Sequence, residues 1–77
     1  MEIKMPKFTD GMEQGEILTW LKQEGESYVD GDELCEVGTD KVTYAVEARN
    51  DGVLEKILVN EGETVAVGVP IAIVTEK

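Results

Sequence analysis

The tetrapeptide Glu24-Gly25-Glu26-Ser27 recurs 37 residues later as Glu61-Gly62-Glu63-Thr64, and this repetition is the strongest indication of the fold. The same shift of 37 positions places glycine on glycine and apolar residue on apolar residue along much of the chain. The matched pairs include Gly15 with Gly52, Ile17 with Leu54, Trp20 with Ile57, Leu21 with Leu58, Gly31 with Gly68, Leu34 with Ile71 and Val37 with Val74. Chance seldom aligns a motif and its apolar flanks together, so residues 1–77 are interpreted as one domain with two repeat halves, roughly 4–40 and 41–77.

Short runs rich in Val, Ile, Leu and Thr lie between turns built from Gly, Asn and Asp, and no segment keeps a helical spacing of apolar residues. This pattern predicts an all-β sandwich or barrel. The predicted strands are Glu2–Pro6, Glu16–Lys22, Ser27–Val29, Glu33–Val37, Val42–Ala48, Val53–Val59, Thr64–Val65 and Ile71–Thr75. Alternation fails in residues 17–21, where either a β-bulge or a strand packed on both sides would explain the pattern.

The repeat predicts quasi-two-fold symmetry. Each half is expected to form a four-strand unit with one apolar face, and the two units are expected to pack face to face. The 37-residue shift pairs Lys41 with Lys4, so the hairpin that joins the halves is expected at the end of the molecule opposite the termini.

Composition narrows the possible functions. A net charge of −10 disfavours nucleic acid and anionic membranes as partners. With no histidine and one cysteine, we expect neither a metal site nor an internal disulfide, and we interpret Cys35 as a small core residue of a reduced protein. Without a signal peptide or an apolar run long enough to span a bilayer, the expected location is the cytoplasm.

The segment Gly38-Thr39-Asp40-Lys41-Val42 is a polar break between two apolar strands, so its lysine is expected to be exposed. Taken alone, it would be a solubilising lysine or a charge that guards a strand edge. The segment nevertheless resembles the attachment motif of lipoyl domains, and the resemblance covers nearly the whole chain. It includes Met5–Glu13, Gly15–Ile17, Trp20–Glu26, Gly31–Leu34, Glu47–Ala48, Gly52–Val59, Glu61–Gly62 and Val67–Ala72. Gly25 and Gly52 stand at the family's characteristic distances from Lys41.

The resemblance implies a flattened barrel of two four-stranded antiparallel sheets. Lys41 would carry lipoate in amide linkage, while Asp40 and Val42 would flank it and help the modifying enzyme to find it. The loop from Phe8 to Gln14 would lie near this turn and contribute to recognition. One departure is Gly38, where the family more often has glutamate, and the missing side chain is expected to loosen the turn.

The implied function is that of a lipoyl domain from the dihydrolipoamide acyltransferase (E2) of a 2-oxo acid (pyruvate-type) or acetoin dehydrogenase complex. Its swinging arm would move acyl groups and reducing equivalents between active sites, with no catalysis by the domain itself. The implied partners are the decarboxylase (E1), dihydrolipoamide dehydrogenase (E3), a lipoate ligase or lipoyl transferase, and an acyltransferase core in the same chain.

Three alternatives stay open at this point. A biotin carrier domain would share the fold, but that family usually has methionine on both sides of its lysine, where this chain has Asp40 and Val42. The lipoylated glycine-cleavage carrier is a longer protein with extra helices. An unmodified, lipoyl-like structural module would make the Asp-Lys-Val turn accidental.

Overall fold

The structure, a computed structural model, describes residues 1–40 and 42–77. Its strands are β1 (Glu2–Lys4), β2 (Gln14–Trp20), β3 (Ser27–Tyr28), β4 (Glu33–Gly38), β5 (Thr43–Glu47), β6 (Gly52–Ile57), β7 (Thr64–Ala66) and β8 (Pro70–Glu76). The part of the chain that the structure describes includes no helix long and apolar enough to cross a membrane. Eight strands were predicted and eight are present among these residues, with bounds that differ from the predictions by at most two residues at either end.

The strands form two four-stranded antiparallel sheets, which confirms the predicted sandwich. One sheet has the order β1-β8-β6-β3 and the other the order β5-β4-β2-β7. The expectation that each half of the repeat packs as a separate unit is wrong, because each sheet takes two strands from each half. Interleaving lets the strands of one half hydrogen-bond to those of the other, which an isolated four-strand unit could not do.

The register shifts in the two sheets occur at equivalent positions of the repeat. The register between β2 and β4 shifts around Leu18, and the register between β6 and β8 shifts around Glu55, its counterpart 37 residues later. A second pair of shifts leaves Leu34 of β4 and Ile71 of β8 without a direct partner. The failed alternation in residues 17–21 is therefore explained by the bulge alternative.

The first strand breaks the 37-residue rule. Lys4 lies opposite Pro70, and Glu47 lies opposite Glu33. Since Pro70 is the repeat counterpart of Glu33, Lys4 corresponds structurally to Glu47, an offset of 43 residues. The predicted pairing of Lys4 with Lys41 is thus wrong, and Lys41 itself lies outside the described residues.

A longer loop accounts for the changed offset. Residues 5–13 connect β1 to β2 with nine residues, whereas residues 48–51 connect β5 to β6 with four. The hydrogen bond from Met5 N to Val69 O (2.8 Å) repeats the one from Ala48 N to Asp32 O (2.8 Å). The correspondence between β1 and β5 thus extends as far as Met5, and the insertion lies after it.

The repeated Glu-Gly-Glu motif ties the two sheets together. Glu24 accepts a hydrogen bond from Ile57 N (2.8 Å), and Glu61 accepts one from Trp20 N (2.8 Å). Each following glycine has positive φ (Gly25, 87°; Gly62, 91°), a conformation that side-chain-bearing residues rarely adopt. The motif recurs because each copy closes a turn of one half against a strand of the other.

The core lies between the sheets in two clusters of buried side chains. One contains Met5, Ile17, Cys35, Val37, Val46, Val59 and Ile71, and the other contains Tyr28, Leu34, Ala48, Leu54, Ala72 and Val74. Trp20 packs against both clusters and donates its indole N–H to Val59 O (2.9 Å). Cys35 is fully buried, which confirms its interpretation as a core residue.

The hairpin and the termini lie at opposite ends of the molecule, as predicted. β5 leads away from the β4–β5 connection and continues to Asp51, whose carbonyl accepts a hydrogen bond from Lys77 N (2.9 Å). The amino terminus reaches the same end, because the Met1 amino group donates to Val74 O (3.0 Å).

Candidate functional site

The connection between β4 and β5 is closed by the residues on either side of position 41. Thr39 N donates to Val42 O (2.9 Å), and the Thr39 hydroxyl donates to the same carbonyl (3.0 Å). Val42 N in turn donates to the Thr39 hydroxyl oxygen (3.3 Å). These bonds close a tight turn despite the bare backbone at Gly38.

The predicted flanking residues are both accessible to a partner. Asp40 is exposed, and Val42 keeps 48% of its surface in solvent. Lys41, the predicted attachment site, lies outside the described residues, so its assignment stays a prediction.

The loop from Phe8 to Gln14, which includes most of the insertion, lies beside the hairpin, as the family resemblance implied. The Phe8 ring stacks on the Tyr44 ring of β5, with centroids 4.6 Å apart and planes 4° from parallel. Within the loop, Met12 N donates to Thr9 O (3.2 Å). Val67 N donates to Glu13 O (3.0 Å), which fixes the far end of the loop. The stacking holds the loop against β5, the strand that leaves the turn, while the two hydrogen bonds fix the conformation of the loop and its far end.

The loop and the hairpin together line a groove of about 630 Å³ that is open to solvent. Its lining includes four carboxylates, those of Asp10, Glu13, Glu16 and Asp40, and no Lys or Arg among the described residues. The described lining residues therefore carry a net negative charge, which would attract cationic groups from solvent or from a partner.

Leu18 fills the space beside the turn that Gly38 leaves empty. A Cβ atom built on Gly38 would lie 3.1–3.3 Å from three carbon atoms of the Leu18 side chain. Leu18 is the bulged residue of β2 and remains 41% exposed. Sequence reasoning missed its role, although the failed alternation around it pointed to an irregularity there.

The glycines at the family's spacing from Lys41 have structural roles away from the hairpin. Gly25 N donates to Leu54 O (2.6 Å) in one of the repeated turns. Gly52 starts β6 near the termini, where an added Cβ would lie 2.6 Å from both Thr75 O and the Tyr28 hydroxyl. Their conspicuous spacing in the sequence thus reflects packing rather than contact with the turn.

Comparison with known proteins shows which family this chain belongs to. The family model named Biotin_lipoyl and described as "Biotin-requiring enzyme" matches residues 1–74. The chain belongs to the biotinyl/lipoyl domain family. Members of this family carry biotin or lipoate on a lysine.

Sequence relatives of this biotinyl/lipoyl domain come from several kinds of complex. It is 42% identical, over its full length, to the mitochondrial pyruvate dehydrogenase protein X component of Mus musculus. It is 44% identical over 97% of its length to the succinyltransferase component of the 2-oxoglutarate dehydrogenase complex of Staphylococcus saprophyticus. It is 42% identical over 96% of its length to the acetyltransferase component of the acetoin cleaving system of Pseudomonas putida. The chain spans 16%, 18% and 20% of these proteins, respectively.

Two solved structures resemble this domain. The lipoyl domain of the 2-oxoglutarate dehydrogenase complex of Azotobacter vinelandii superimposes with a TM-score of 0.81 and 37% identity, covering 99% of this chain and 96% of that one. A single-chain, multi-domain long-chain acyl-CoA carboxylase matches with a TM-score of 0.85 but 19% identity, covering all of this chain and 7% of that one. The second likeness shows a shared fold only. The first confirms that the domain resembles lipoyl domains throughout its length.

Proposed function

We propose that this domain is a lipoyl carrier in which Lys41 holds lipoate in amide linkage. The observation that carries the proposal is the closed turn between Thr39 and Val42, at the end of the molecule opposite both termini. A carrier connected to a larger protein through its termini must present its cargo at the free end. The turn satisfies this requirement, and the exposed Asp40 and Val42 leave space for an enzyme to approach the lysine between them.

The residues of the domain would act by holding the modified lysine where partner enzymes can reach it. The clamp formed by Thr39 and Val42 limits the conformations of the turn, which reduces the entropy lost when an enzyme binds it. The Phe8–Tyr44 stack holds the neighbouring loop in place. When bound, lipoate supplies a dithiolane that undergoes thiol–disulfide chemistry at the end of a long arm. The protein adds tethering, which raises the effective concentration of that arm at each partner's active site.

Lipoate is favoured over biotin by the residues beside the lysine. Asp40 and Val42 stand where biotin domains usually have methionine, and the similar structure that matches over its whole length is a lipoyl domain. The relatives from pyruvate, 2-oxoglutarate and acetoin systems support the proposal that this carrier works in a complex of this general type. Its partners there would be the decarboxylase, the dihydrolipoamide dehydrogenase, a lipoate ligase or lipoyl transferase, and the acyltransferase core. The domain would contribute transport, with catalysis left to those partners.

Mass spectrometry after enzymatic modification tests the proposal. The purified domain is incubated with lipoate ligase, ATP and lipoate, and in parallel with biotin ligase, ATP and biotin. We expect one lipoyl increment and no biotinyl increment. Lys41→Ala should abolish the lipoyl increment, whereas the control Lys56→Ala, which removes an exposed lysine of β6, should retain it.

Two results would contradict the proposal. A biotinyl increment without a lipoyl one would make the domain a biotin carrier. A lipoyl increment that survives Lys41→Ala would move the attachment site to another lysine. Peptide mapping of the modified domain would then identify the residue concerned.

A further inference from the structure

We propose that Leu18 is a specificity-determining contact for the enzyme that attaches lipoate to the hairpin. The inference rests on the proposed carrier function and adds a residue that neither the sequence motif nor the turn contains. Its starting point is the packing of Leu18 over Gly38, the last residue of β4 before the turn.

The position of Leu18 makes it part of the surface that such an enzyme must cover. Gly38 pairs with Glu16 of β2 on one side and with Thr43 of β5 on the other, so it lies at the base of the hairpin. The Leu18 side chain lies directly over this base and remains 41% exposed. An enzyme that encloses the lysine therefore meets an apolar side chain immediately beside the turn.

The second half of the repeat contains an equivalent bulge with which this surface can be compared. The equivalent bulge in the other half carries Glu55, which is exposed, and the residue equivalent to Gly38 is Thr75. The two bulges thus share their backbone irregularity and differ in their exposed side chains. A bulge needed only for sheet geometry does not require leucine, because the Glu55 bulge forms without one.

The geometry of the bulge indicates that this leucine serves recognition rather than core packing. The extra residue in a bulge re-aims its side chain relative to a regular strand. Leu18 belongs to neither cluster of buried core residues, whereas its neighbour Ile17 is fully buried. Among the exposed large apolar residues, Leu18 contacts the base of the turn and Val42 closes it. Together they give the hairpin an apolar margin in an otherwise acidic neighbourhood.

Steady-state lipoylation kinetics test the inference, with the domain as the varied substrate of lipoate ligase. Leu18→Gln keeps the approximate length of the side chain and removes its apolar surface, and Glu55→Gln is the matched control at the equivalent bulge. We expect Leu18→Gln to raise KM by about three- to eightfold with kcat nearly unchanged, as the loss of part of a buried leucine contact predicts. Glu55→Gln should leave both constants near those of the parent. Leu18→Met, which keeps an apolar side chain of similar size, should have the parental KM.

The outcomes separate this inference from the carrier function. Thermal melts of all three variants verify that the domain is folded under the assay conditions. If Leu18→Gln leaves KM where Glu55→Gln leaves it, or lowers kcat at constant KM, the contact role of Leu18 is overturned while Lys41 can still be the attachment site. Absence of lipoylation in the parent domain would instead overturn the carrier function itself.

Discussion

The two halves of the domain agree in their interior and differ at their surface. Gly15 and Gly52 both lie at the beginning of a strand, as its second and first residue respectively, at a point of close contact. The Glu-Gly-Glu turns make equivalent hydrogen bonds. At the hairpin end, by contrast, the half that precedes the turn has a longer loop, an acidic groove and Leu18 packed over Gly38.

This contrast separates structural requirements from functional ones. Two copies of one unit must satisfy the same packing rules, so residues that repeat at equivalent positions are explained by the fold. Exposed positions that differ between the copies are free of that requirement. The differences gather beside the hairpin, which is where the proposed carrier would meet its partners.

The largest effect is expected at the paired glycines. Gly52→Ala would place a Cβ 2.6 Å from Thr75 O, a backbone atom that cannot move without distorting β8. We expect a loss of about 3 kcal/mol in the free energy of unfolding, as for severe overpacking. Gly15→Ala should cost less, about 1–2 kcal/mol, because its nearest neighbours are the side chains of Val37 and Met12 rather than backbone.

Urea denaturation of both variants measures this difference. Equal losses would show that the two halves tolerate added volume alike and would contradict the distinction between a backbone and a side-chain obstacle. A larger loss for Gly15→Ala would reverse it.

A smaller effect is expected from Glu61 as the pH falls. Hydrogen bonds from Trp20 N and the Thr19 hydroxyl hold the pKa of the Glu61 carboxyl below its ordinary value of 4.5. A carboxyl whose pKa is lower in the folded state stabilises the fold above pH 4.5, and this contribution disappears as the pH falls through the folded-state pKa. Glu61→Gln should therefore flatten the decline of Tm below pH 4.5.

Thermal melts between pH 7 and pH 3 compare the parent with this variant. Thr19→Val, which removes one of the two donors, should give an intermediate profile. Parallel profiles for the parent and Glu61→Gln would show that the carboxylate contributes nothing specific to the pH dependence.

The smallest effect is expected at Cys35, whose counterpart in the repeat is Ala72. Both residues are fully buried, and burial raises the pKa of the Cys35 thiol to about 12. The folded domain should therefore be inert to a thiol reagent at pH 8 and should react once unfolded. Cys35→Ala makes the two halves alike at this position and should cost about 1 kcal/mol or less. Rapid labelling of the native domain, at a rate faster than unfolding, would contradict this burial.

Much of the fold could be predicted from sequence because the repeat constrains it twice. Each strand was indicated by its own apolar pattern, and all but β1 and β5 were indicated again by a partner 37 residues away. Even the bulge at Leu18 appeared as a break in alternation. The pairing of Lys4 failed because a residue count cannot locate an insertion, here in residues 5–13. The assignment of Lys41, Asp40 and Val42 depends on the family motif and stays a prediction, as does the cytoplasmic location.

Local patterning and glycine placement along the chain were enough to predict the strands, the repeat and the turn that joins its halves. The interleaving of the halves is visible only in the folded molecule, since strand pairing depends on contacts between distant residues. The tertiary structure alone placed Leu18 on Gly38 and brought Asp10, Glu13 and Glu16 to the groove beside Asp40. These contacts form between residues that are distant in sequence, so they cannot be predicted from spacing along the chain.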